Sequence, residues 1–142
     1  MYVVHDEKGA ILSTISGPGK EYGKDVLDKQ GDLWLFDPEL QNLDPTTNFV
    51  DLTAAPKKIV PKQPIVLSQD KETIIADGSD ESVISGIPEG AYVTVTLNGK
   101  TPQFSGVVTD GQIEISSDVP ANYLITVTAQ NMLAATLAVV AK

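Results

Sequence analysis

Three short stretches contain residue types at spacings that could do chemistry. "DGSDE" puts Asp77, Asp80 and Glu81 within five positions, with Gly78 and Ser79 between them. Clustered carboxylates suit a hard cation such as calcium, but the twelve-residue loop with its closing Glu is missing. The competing use is structural: Gly78 supplies a positive φ, and Asp and Ser cap a corner. "HDE" sets the single histidine, His5, beside Asp6 and Glu7. Neighbours on a strand point to opposite faces, so a triad would need distant partners, and there is no Gly-x-Ser-x-Gly elbow. His5 is therefore expected to be an exposed hairpin residue. "GPGKEYGKD" has the glycines and lysine of a phosphate loop. Gly17 and Gly23 are one position too far apart, however, and Asp25 stands where Ser or Thr would hold magnesium. A helix-entry turn is the better reading. No carboxylate pair is singled out for sugar hydrolysis. The expected catalytic, cofactor and metal sets are all empty.

Composition narrows the classes further. The 142 residues suffice for one domain or two small ones, and at 42% hydrophobic a packed core is expected. Net charge is −9, and all ten basic residues are lysine. Phosphate-gripping surfaces are usually basic and often use Arg forks, so neither nucleic acid nor an anionic membrane is an expected partner. With no cysteine, disulfides, Cys-ligated zinc and a thiol nucleophile are excluded. The start, "MYVVHDEKGA", is charged within its first eight residues and has no long apolar core, so no secretory leader is expected. The longest apolar tract, "MLAATLAVVA", is about half the length of a membrane-crossing helix.

Several elements must position these residues. "MYVVHDEKGAILSTIS" reads as a hairpin with strands Tyr2–Val4 and Ile11–Ile15. Lys20 to Gln30 reads as a short helix with Tyr22, Val26 and Leu27 on one face and Gly31 just past its end. "LWLF" and "FVDL" are strand-like, separated by the loop Asp37–Asn48. Prolines 56, 61 and 64 mark a linker, which places a boundary near Val60. Beyond it, period-two patterns such as "YVTVTL" and "YLITVTA", with Asp-Gly and Asn-Gly turns, point to a β-sandwich. The β-branched Thr136, Val139 and Val140 favour a final strand over a helix. Gly78, Gly99 and Gly111 are expected at positive φ or tight corners. The expected class is mainly β: a small α+β unit over 1–60, then a sandwich over 61–142.

"SQDKETIIADGSDESVISGIPEGAYVTVTLNGK" (Ser68–Lys100) resembles bacterial Ig-like repeats of the invasin and intimin type. A second resemblance spans more of the chain. "MYVVHDEKGAI", the following GP, YG and W positions, the Pro-rich joint and "VTDGQIEIS" look like small two-part proteins encoded among the structural genes of tailed bacteriophages. Where such relatives carry an aromatic-Pro-Tyr, this chain has "QNMLAAT". The resemblance implies location in a virion and a tail-associated accessory or adaptor role, with other virion proteins as partners in a symmetric assembly. It transfers no catalytic residue. The alternatives are a capsid decoration protein, or an adhesion or carbohydrate-binding module with weak contact to a host-surface glycan. The aromatics Tyr2, Trp34, Phe36 and Phe49 gather in the first unit. There they would serve a small core, which needs every large side chain, or form a stacking platform for sugars. The docking surface is expected in this unit, with Trp34, Phe36 and Phe49 as the partner-contact candidates.

Overall fold

The computed structural model describes residues 1–16 and 20–142, without the side chains of residues 20–22. The helix-entry turn expected at Gly17–Gly19 lies outside the described residues. The chain is mainly β, with one helix among those described. It divides into two compact units, Met1–Lys62 and Gln63–Lys142. No helix among the described residues is long and apolar enough to cross a membrane.

The first unit contains β1 (Tyr2–His5), β2 (Ile11–Ile15), α1 (Lys20–Gln30), β3 (Leu33–Phe36), β4 (Asn48–Asp51) and β5 (Lys58–Pro61). β1 lies between β2 and β3, antiparallel to both. Its four residues are all buried. Alternation sends Tyr2 and Val4 to one face, where they pack with Leu27 of α1 and with Trp34 and Phe36 of β3. Val3 and His5 go to the other face. The helix ends in a Schellman motif: Gly31 N–H bonds to Asp28 C=O at 3.2 Å and Asp32 N–H to Leu27 C=O at 3.0 Å. The expected apolar face of α1 needs correction. Leu27 is buried, but Val26 is 54% exposed. Adjacent helix positions diverge by about 100°, and one narrow stripe resting on a small sheet cannot bury both.

The proline-rich stretch is also not the open linker expected. Lys58–Pro61 is β5, paired antiparallel with β4 from Asn48↔Pro61 to Asp51↔Lys58. Pro61 ends its strand and Pro56 precedes it, positions where a missing N–H breaks no central ladder.

The second unit contains β6 (Gln63–Pro64), β7 (Ser68–Gln69), β8 (Thr73–Ile74), β9 (Ser82–Ser85), β10 (Ala91–Leu97), β11 (Thr101–Val108), β12 (Gln112–Ile115), β13 (Ala121–Thr128), β14 (Met132–Leu133) and β15 (Ala135–Ala141). One sheet has the order β11-β10-β13-β15-β8 and another the order β12-β9-β7; β14 pairs with β6. Pairing is antiparallel except for β15–β8 and β14–β6. Both larger sheets contribute to one core. Val93 and Val95 of β10, Ile125 and Val127 of β13 and Val139 of β15 cluster with Ile84 of β9 and Ile115 of β12. Each such side chain contributes about 1.5–3 kcal/mol relative to exposure. The tract "MLAATLAVVA" is not helical, but it is divided: Met132–Leu133 pairs with β6, and only Ala135–Ala141, which holds the β-branched Thr136, Val139 and Val140, forms the expected final strand.

Gly78, Gly99 and Gly111 have φ of +78°, +70° and +81°. At the β10–β11 corner, Asn98 (φ +52°) and Gly99 are both left-handed, and Lys100 N–H closes the turn on Leu97 C=O at 3.0 Å. Two consecutive positive φ values characterise the type I′ hairpin turn. Gly111 turns the chain from one sheet to the other, since β11 and β12 belong to different sheets. Gly9 is constrained more tightly. Its φ is +93°, its C=O accepts Val50 N–H at 2.8 Å, and a Cβ there would stand 2.2 Å from the Val50 carbonyl oxygen. Nothing lies within 4 Å of a Cβ built on Gly99. Gly99→Val should therefore cost roughly 1–2 kcal/mol, the backbone term alone. Gly9→Ala should cost more, because β4 must also move away from the β1–β2 turn. Thermal unfolding of the two variants should show this order.

Candidate functional site

The carboxylates that looked like chemistry are occupied by the backbone. Asp77 Oδ1 accepts N–H bonds from Ser79 and Asp80, both at 2.8 Å. Asp80 Oδ2 accepts Ile75 N–H at 2.8 Å, and its other oxygen pairs with the Lys71 ammonium. Gly78 N–H bonds to Ser117 C=O at 2.9 Å, tying this corner to the loop before β13. Asp6 likewise closes the β1–β2 turn, accepting Lys8 N–H at 2.8 Å and Ala10 N–H at 2.9 Å. Among the described residues no three of His, Asp and Glu are gathered as a metal ion would require.

These bonds favour the charged carboxylates. The backbone N–H groups of Lys8 and Ala10 lower the pKa of Asp6, and those of Asp80 and Ser79 lower that of Asp77. Asp80 is lowered first by its bond to Lys71 and then by Ile75 N–H. Lys71 is raised by the same pair. Asp44 and Asp51 are lowered by the hydroxyl and N–H of Thr46 and Thr53 respectively. Asp28 is lowered by Trp34 and Lys24.

His5 is not the exposed hairpin residue expected. It is 2% exposed. The face of β1 that carries His5 is not left open to solvent: Lys57, from the segment before β5, reaches the ring, a contact between residues distant in sequence that a hairpin reading does not contain. His5 Nδ1 lies 2.8 Å from Asp6 C=O and Nε2 lies 3.3 Å from Lys57 Nζ. An Nδ1–H tautomer satisfies both, donating to the carbonyl and accepting from the ammonium.

The aromatic candidates are brought together in part. The rings of Tyr2 and Phe36 lie 4.8 Å apart, and those of Tyr2 and Trp34 lie 5.7 Å apart edge-on. Trp34 Nε1–H donates to Asp28 Oδ1 at 2.9 Å. Trp34 and Phe36 are partly buried in this cluster. Phe49 is elsewhere, half-buried on β4 opposite Val60. Phe36 also lines a cleft of about 380 Å³ with Leu35, Leu40 and Ile59 at its apolar parts and Lys57 and Lys58 at its polar part.

Two features escaped the sequence reading. The first is a cleft of about 550 Å³ in the second unit. It opens between β11, the end of one sheet, and β12, the end of the other. Val95 and Ile115 line it on the core side, with Phe104, Gln112, Glu114 and Tyr123 around them. Tyr123 is held in place: its hydroxyl bonds to Ser117 Oγ at 2.8 Å, and Ser117 Oγ–H donates to Val119 C=O at 2.7 Å. Phe104 is 46% exposed. The second feature is the five-stranded sheet itself, which contains no charged residue in any strand. That absence is visible in the sequence once the strands are delimited; the cleft depends on strands far apart in the chain. Comparison with protein-family models, curated proteins and solved structures found no match.

Two predictions follow from this geometry. His5→Ala should destabilise the first unit by about 2 kcal/mol or more, through lost packing and a Lys57 ammonium deprived of its acceptor. An unchanged thermal midpoint would show that His5 is not packed as described. The lowered aspartates bind protons less readily folded than unfolded. Their stabilisation is complete above the unfolded value and is lost as pH falls through the lower folded values. The thermal midpoint should therefore be nearly flat from about pH 7 to about pH 5 and fall below about pH 4. A midpoint that holds or rises below pH 4 would contradict the turn bonds.

Proposed function

We propose that the chain is a structural component of a tailed-phage virion, a tail-associated accessory or adaptor protein. In this reading the second unit is an Ig-like sandwich and the first is a small α+β module that docks it to its neighbours. The observation that carries the proposal is the strand order of the second unit. Two sheets share one core, the five-stranded one closes on a parallel β15–β8 pair, and a tyrosine near the start of β13 is tied back to the preceding loop. An immunoglobulin sandwich has a comparable tyrosine corner, with loops at its ends that vary without disturbing the core. Such a module suits repeated display on a particle, and the resemblance to two-part phage structural proteins supports that setting. Fold alone does not define function. The commitment of the candidate carboxylates to turns and of His5 to the core favours a structural role over catalysis.

Trp34 and Phe36 are engaged within their own unit, so docking through it would rely on residues that face outward. Leu12, Ile15 and Leu33 are exposed on β2 and β3. A capsid decoration role would use the same parts at a different position on the particle. A carbohydrate-binding or adhesion role is favoured by one observation, the β11–β12 cleft with its half-exposed Phe104 beside amides and carboxylates.

Quantitative mass spectrometry of purified particles tests the proposal. The chain should be present at the stoichiometry of a tail ring; capsid-lattice stoichiometry would select the decoration role, and absence from particles would reject both. The double variant Leu12→Glu, Leu33→Glu should fold normally and be incorporated poorly. Full incorporation of that variant would move the docking surface out of the first unit.

A further inference from the structure

The outward face of the five-stranded sheet lacks charge, in a chain where charged residues fill 20% of positions. Inward positions of any such sheet are apolar, so the outward ones carry the information. Register aligns Ser105, Thr94, Thr126 and Thr136 in one row across β11, β10, β13 and β15. Beside this row stand Tyr92, Val107 and Leu124, which are 47%, 63% and 39% exposed. The face is therefore neutral, built of short hydroxyl-bearing side chains with apolar groups beside them, Leu124 among them on the central strand.

We infer that this face binds the same face of a second copy of the chain across a two-fold axis. Charge selects the partner. Each copy carries a net −9, and Asp6, Asp44, Asp77 and Asp80 stand at its corners, so contact through those corners sets carboxylate against carboxylate. Across the neutral face no like charges meet and no ion loses its water. A strongly basic partner would find no carboxylate there to pair with. Threonine and serine hydroxyls both donate and accept, so a row of them can complement its own copy, as an isologous interface requires.

Size sets the strength. Four long strands about 4.8 Å apart, with seven or so residues at about 3.3 Å each, present roughly 450 Å² of plane. Two such faces packed about 10 Å apart bury on the order of 1,000 Å², the lower limit for a specific interface. The dimer is consequently weak and reversible, and it tightens with salt, because screening relieves the repulsion between two acidic molecules. The inference concerns the purified chain and does not depend on the virion reading.

Sedimentation equilibrium of the intact protein tests it, from about 10 µM to about 1 mM chain, a range that brackets weak interfaces of this size. The wild type should show a monomer–dimer equilibrium that is tighter at about 500 mM salt than at about 50 mM. Ser105→Glu with Thr136→Glu places four carboxylates in the proposed contact and should weaken association at least about tenfold, while Thr136→Ser should leave it unchanged. Both sites are exposed, and circular dichroism checks that the variant folds; Thr128→Glu, also exposed, serves if it does not. A wild type that stays monomeric throughout overturns the inference. Glu variants that dimerise as tightly as the wild type also overturn it, since association would then run through the first unit or the free edge of β11.

Discussion

Backbone N–H groups at the corners of this chain have no strand or helix partner, and aspartate carboxylates accept many of them. Asp6 closes the β1–β2 turn, Asp44 and Asp51 order the loops on either side of β4, and Asp77 and Asp80 shape the corner after β8. Asp70 reaches Val83 N–H at 2.7 Å across the β7–β9 pair. A protein with many short strands has many corners, and cysteine is absent to staple them. The acidic composition is to this extent a consequence of the architecture. It also accounts for carboxylates that resemble a cation site by spacing while acting as caps.

The same arrangement separates charge from sheet. Acceptors for turn N–H groups belong at the ends of strands, and the strands of the five-stranded sheet are left with apolar residues inward and a mixture of threonine, serine and apolar residues outward. β-branched side chains suit a pleated surface, and threonine supplies that shape with a polar group. The result is a sheet whose strands carry no charged side chain.

The first unit solves a different problem. It has few residues from which to make a core, and it uses both faces of one short strand. Tyr2 and Val4 anchor α1 on one side of β1, while Val3 and His5 are buried on the other. Tyr2 Oη also accepts Gly23 N–H from the helix at 3.1 Å. Burial of His5 is tolerated because both ring nitrogens have partners, one a carbonyl and the other the Lys57 ammonium.

Local physics made much of this legible in the sequence. Strand alternation in "YVTVTL" and "YLITVTA", the helix stop at Gly31 and the positive φ at the Asp-Gly and Asn-Gly steps depend on residues close in the chain, so pattern alone determined them. The reading of Asp77 and Asp80 as turn residues has the same origin. What pattern could not decide was which strands lie side by side. β1 reads as one arm of a hairpin, but β3 takes its other edge, and the segment carrying Lys57 covers the face on which His5 stands. Lys58–Pro61 looked like a linker until β4 paired with it. The β11–β12 cleft exists only because Gly111 sends consecutive strands into different sheets. Pairing partners and covered faces are set by contacts between residues distant in sequence, where the free energy comes from burying apolar surface, and only the tertiary structure fixes them.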